Sequence, residues 1–207
     1  MTAKIEFFPV DNGDMTLITL ESGRTILVDV NIRKAVDDDD DEEITDVAAL
    51  LRDRLERDGD GRHYVDAFLL SHPDEDHCRG LKRHFHLGKP EDWSKTADKI
   101  LIREMWSSPI VFRRKKDVDG AVCDDAEAWW SEARRRVKLY RDTKTKSSTK
   151  DGDRIQILGQ DKDGKTDDLA DILAKTDSEI TKICGKVDNT FRAQHLPRLA
   201  LGTASCQ

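Results

Sequence analysis

Phe68-Leu69-Leu70-Ser71-His72-Pro73-Asp74-Glu75-Asp76-His77 is an apolar run that ends in two imidazoles and three carboxylates. Strands of layered α/β folds deliver reactive side chains at their carboxyl ends. Imidazole mixed with carboxylate suits zinc, manganese or iron better than calcium or magnesium, which prefer oxygen shells. If the segment stays extended, alternation puts His72, Asp74 and Asp76 on one side. Pro73 opposes a helix there. His72 and Asp74 would then face one metal, and Asp76 with His77 a second, whose bound water becomes a nucleophile. The plainer alternative is a polar loop with two incidental histidines.

Working outward, Tyr64–Leu70 reads as the strand that feeds this cluster. Before it, residues 45–57 read as a helix, capped by Thr45 or Asp46 and striped by Val47, Leu50, Leu51 and Leu55. Residues 4–10, 15–20 and 25–30 read as a meander of three short strands, with turns at Asp11–Asp14 and Glu21–Arg24 and with Asp29 near its end. The acidic run Asp37–Glu43 reads as a solvated loop. Downstream, Gly80–Phe85 reads as a short helix, Lys99–Arg103 as a strand and Met105–Pro109 as a loop. Residues 124–141 read as a helix striped by Ala126, Trp130, Ala133, Val137 and Tyr140, with Arg134, Arg135, Arg136 and Lys138 outside. Residues 142–153 read as a loop, 154–159 as a strand and about 168–184 as a helix. Helices alternating with strands predict an α/β fold.

The chain has 207 residues, enough for one moderate domain or two small ones; 37% are hydrophobic and 37% charged, so surface and loops are strongly polar. A net charge of −7 argues against global attraction to nucleic acid. Four cysteines without a C-x-x-C pair read as reduced thiols of a cytoplasmic protein. No signal-peptide core and no apolar run of membrane length is present in the sequence.

At these residues the sequence resembles the metallo-β-lactamase fold superfamily, whose hallmark is H-x-H-x-D-H. Here it reads His72-Pro73-Asp74-Glu75-Asp76-His77, with Asp74 at the second histidine. That variant resembles the competence-type branch, related to the C-terminal domain of DNA-uptake channel proteins. Val10-Asp11-Asn12-Gly13-Asp14-Met15 resembles the branch's V-G-x-G-D-A segment, and Ile26-Leu27-Val28-Asp29 its strand ending in aspartate. The likeness covers residues 4–82 specifically and 83–188 only generally. It implies a four-layer αββα sandwich, here mainly its N-terminal half. It implies a zinc (or manganese) metallohydrolase, with metal-activated water attacking a phosphodiester, ester or amide bond of a small-molecule or nucleic-acid substrate. His72 and Asp74 would hold the first metal, Asp76 and His77 the second. Asp76 would also orient the attacking water, and Asp29 would support the ligands from behind.

The family's later ligands, a bridging aspartate and distal histidines, have no counterpart; His195 in Gln194-His195-Leu196-Pro197 lies outside such a context. The chain therefore reads as C-terminally truncated. Residues 1–188 read as a single domain with a polar insertion around 103–165, and 189–207 as an atypical tail. An incomplete sandwich leaves one sheet face to be covered, which predicts a homo-oligomer or a partner. Two other functions compete: an inactive fragment with a partial metal site, and a nucleic-acid-binding or regulatory module. The second would use Arg113-Arg114-Lys115-Lys116 with Arg134–Arg136, Lys144, Lys146 and Lys150. Cys78 reads as a small buried side chain rather than a soft ligand. His84 and His86 read as a solvated helix end, and His63 as surface.

Overall fold

A computed structural model of the chain describes residues 2–33, 45–107, 122–143 and 150–157. The acidic run, the basic tetrad, Lys144, Lys146, the helix expected near 168–184, His195 and the tail from 189 lie outside the described residues. The fold is α/β: a seven-stranded mixed sheet with helices packed on it.

The predicted meander is present as β1 (Lys4–Phe7), β2 (Thr16–Thr19) and β3 (Thr25–Val28), paired antiparallel. Helix α1 (Val47–Arg54) follows, and Asp46 accepts a hydrogen bond from the Ala49 amide at 2.9 Å. β4 (Tyr64–Leu69) then lies parallel to β3. Two short helices, α2 (Glu75–Cys78) and α3 (Leu81–His84), lead to β5 (Phe85–His86). β6 (Ile100–Ser107) pairs parallel with β4 on one side; on the other it pairs with β5 at its start and with β7 (Arg154–Ile157) at its end. Between β6 and β7 runs the long helix α4 (Asp124–Thr143). Asp66 ties the central strands together, accepting from the Thr25 amide and from Arg103, each at 2.9 Å.

The register lines up one apolar row, Leu17 opposite Leu27, Leu27 opposite Phe68, Phe68 opposite Met105 and Met105 opposite Ile155, all buried. Phe68 packs against Phe85 and Trp129, with ring centroids 5.2 and 5.0 Å apart. Burying each such side chain contributes about 1.5–3 kcal/mol, so this aromatic trio anchors α4 to the sheet just below the strand end that carries the candidate site. On β1, Ile5 and Phe7 are exposed.

Four readings of the sequence are corrected. Met105–Ser107 are strand rather than loop, because β7 supplies a parallel partner: Met105, Trp106 and Ser107 lie opposite Ile155, Gln156 and Ile157. Residues 142 and 143 continue α4. His84 and His86 are buried, not solvated. Arg136 is also buried rather than decorative: Glu132, itself buried, accepts from its Nε at 2.7 Å, and the Arg154 carbonyl accepts from its Nη1 at 3.0 Å. Burial works to raise the Glu132 carboxyl, but Arg135 and Arg136 outweigh it and hold the group below its ordinary value. Cys78 is fully buried, as expected.

Candidate metal centre

Three backbone segments meet at the carboxyl ends of β3 and β4. The first follows β3. Asp29 has a left-handed backbone, φ 56°, which aspartate tolerates better than most residues. Its amide donates to the Leu69 carbonyl at 2.9 Å. The second follows β4. The chain bends at Ser71, Asp74 is extended, and α2 then turns at once, with the His77 amide donating to the Asp74 carbonyl at 3.0 Å. The fully extended ligand segment of the sequence reading therefore stops at Asp74. The Val30 amide donates to the His77 carbonyl and the Ile32 amide to the Arg79 carbonyl, both at 2.9 Å, so the two segments are fastened side by side.

The third is the turn after β1. Gly13 has φ 113°, and a Cβ there would lie 2.3 Å from the Asp76 carbonyl oxygen and 2.5 Å from Asn31 Nδ2. Only glycine allows this approach. Asn31 Nδ2 donates to the carbonyls of Val10 and Asn12, holding the turn. The result is that Asp14 reaches the site, its Oδ2 3.9 Å from His77 Nδ1. Asp14 was not among the expected ligands; the glycine-aspartate pair in Val10–Met15 was the signal that could have found it.

Asp29 organises the hydrogen bonds. It is buried, and its Oδ1 accepts from the Ser71 amide at 2.7 Å. Its Oδ2 accepts from Ser71 Oγ at 2.6 Å and from His77 Nδ1 at 2.9 Å. Ser71 Oγ lies 2.9 Å from His72 Nδ1. The serine has one proton and gives it to Asp29, so it accepts from His72 Nδ1–H. One carboxylate thus fixes the same tautomer in both imidazoles, directly in His77 and through Ser71 in His72. The two rings lie against each other, tilted at 46°, with centroids 3.7 Å apart.

In that tautomer both Nε2 atoms carry free lone pairs. His72 Nε2 lies 3.5 Å from Asp74 Oδ2, and His77 Nε2 lies 3.7 Å from Asp76 Oδ2. Two acceptors that close repel unless a cation, a proton or a metal ion, sits between them. With zinc–ligand bonds of about 2.0–2.2 Å in a tetrahedron, neighbouring donor atoms are about 3.4 Å apart. Both pairs fit zinc by donor chemistry and by spacing. Asp14, Asp29 and His77 form a further cluster whose donor atoms lie within 4.8 Å of one another. It uses the Nδ1 side of His77, which already donates to Asp29, so a metal there requires that bond to be given up.

No protein-family model, curated protein or solved structure matches the chain.

The basic residues considered for phosphates divide. Arg135 Nη1 donates to Asp153 and its Nη2 to Glu132, each at 2.7 Å, and Arg136 is buried. Lys150 pairs with Glu91 at 3.5 Å. Arg135 and Arg136 are occupied within the fold, whereas Lys150 stands on the surface beside Glu91. His63 is partly buried. Among the described residues, no helix is long and apolar enough to cross a membrane.

Proposed function

We propose that this chain is a zinc-dependent hydrolase built on the N-terminal half of a metallo-β-lactamase-like αββα sandwich, acting on a phosphodiester, ester or amide bond. The observation that carries this reading is the pair of Nε2–carboxylate contacts, 3.5 and 3.7 Å, both oriented by the single buried carboxylate of Asp29. His72 and Asp74 would hold one ion, and Asp76 with His77 a second; manganese is the alternative ion. When bound, the metal lowers the pKa of a coordinated water and polarises the scissile group. The chain's own residues do the rest. Asp29 draws the Nδ1 proton of both imidazoles toward itself, directly or through Ser71, leaves Nε2 to face the ion and stiffens their orientation. Asp76, whose side chain is half exposed, would orient the attacking water and accept its proton. Asp14 adds negative charge at the rim, favouring a cation over a proton-free empty site. Cytoplasmic location is part of the proposal and rests on the spacing of the four cysteines.

The test is hydrolysis of a chromogenic phosphodiester by the zinc-loaded full chain. Turnover that a chelator abolishes and zinc restores is expected, with a loss of about 100-fold or more in Asp76→Asn. Turnover indifferent to chelation would contradict the reading. Zinc binding without turnover would favour instead a partial, inactive metal site, a reading that the exposure of Asp74 favours.

A further inference from the structure

Cys78 and Cys123 are distant in sequence, yet their sulfurs lie 3.5 Å apart. Cys78 is buried at the end of α2, directly after His77, and Cys123 is half-buried just ahead of α4. A disulfide needs the sulfurs about 2.05 Å apart, so closure requires a shift of about 1.5 Å shared between two side chains. The neighbouring contacts already bring the same elements together. Asp125 of α4 accepts from the Gly80 amide at 2.9 Å and from the Lys82 amide at 2.8 Å. Lys82 Nζ donates to Asp124 at 3.1 Å. The segment holding Asp76 and His77 is thus docked on the start of α4 by hydrogen bonds, with two unbridged thiols beside them.

We propose that Cys78 and Cys123 form a reversible disulfide, made by exchange with a small-molecule disulfide such as oxidised glutathione, that clamps the α2–α3 segment to α4. Cys123, the more accessible thiol, attacks as its thiolate, forms a mixed disulfide and releases one glutathione thiolate. Cys78 then attacks the Cys123 sulfur, breaking the mixed bond, and its proton passes to the second departing glutathione thiolate. Two protein thiols are oxidised, one glutathione disulfide is reduced to two thiols, and the two protons end on the released glutathiones. The inference rests on the sulfur contact and stands apart from the metal reading.

The test uses the full chain carrying Cys184→Ser and Cys206→Ser. It is incubated with oxidised glutathione, alkylated in denaturant and digested without reductant. A Cys78–Cys123 linked peptide is expected, reversed by dithiothreitol and lost in Cys123→Ser. Amide hydrogen exchange at Gly80 and Lys82 should slow at least several-fold in the oxidised form. Glutathione retained on Cys123, alkylation of both thiols, or a crosslink that leaves exchange at Gly80 and Lys82 unchanged would each overturn the proposal.

Discussion

His77 and His72 lie ring beside ring, and they are held very differently. His77 sits in α2 with its amide and carbonyl both hydrogen-bonded, its side chain 11% exposed and its Nδ1 directly on Asp29. His72 lies between Ser71 and Pro73, its side chain is 44% exposed, and it reaches Asp29 only through Ser71 Oγ. Their carboxylate partners are both open to solvent, Asp74 at 72% and Asp76 at 51%. One half of the site is therefore built into the fold, and the other is hung from it by a serine. A rigid donor loses less entropy on binding than a mobile one. The His77 half should load first, and the His72 half should depend on it.

The largest effect that would break this contrast is at their shared anchor. Asp29→Ala removes the acceptor of two Ser71 bonds and of His77 Nδ1, and puts alanine at φ 56°. We expect a loss of about 3 kcal/mol in urea unfolding. Asp29→Asn should keep more of the stability, since asparagine accepts that backbone, yet still lose metal affinity at both halves. Next is Gly13→Ala. The clash with the Asp76 carbonyl and the positive φ should cost about 2–3 kcal/mol, and should weaken the His77 half first.

His84 sharpens the contrast as a buried imidazole with no carboxylate bonded to it; its Nε2 is buried without a hydrogen-bond partner. Burial, helped by Arg52 and Arg83, pushes its pKa down from 6.5 to about 4. Between those values the unfolded chain binds the extra proton and the folded chain does not. The contribution of neutral His84 is therefore fully present above pH 6.5 and is lost as pH falls toward 4. Urea midpoints measured across that window should decline in the parent chain and decline less in His84→Gln. The smallest effect on stability is expected from His72→Ala, under about 0.5 kcal/mol by the same assay, although it removes half of the proposed ligand set.

Local signals carried much of this structure. The meander, the Asp46 cap, the strand before Ser71 and the burial of Cys78 all follow from short-range pattern and turn chemistry. Parallel pairing did not, because β6 finds β7 only after α4 intervenes; Met105–Ser107 looked like loop for that reason. Arg136 departs from the sequence expectation because a helical stripe is read from apolar residues, whereas Glu132 and Arg136 enter the same buried face as an ion pair four residues apart. Asp14 is signalled only by the Gly13-Asp14 pair, and its approach to His77 follows from the backbone of Gly13, which packs against the Asp76 carbonyl. The ligand motif was legible in composition, but the role of Ser71 in orienting His72 needed coordinates.

Equilibrium dialysis against zinc, followed by elemental analysis of the full chain, tests the central claim most directly. The account predicts about two equivalents for the parent, about one for His72→Ala, and near none for His77→Ala, because the half that hangs from Ser71 loads only after the built one. Binding of less than about 0.1 equivalent by the parent, or a stoichiometry that His77→Ala leaves unchanged, would contradict it.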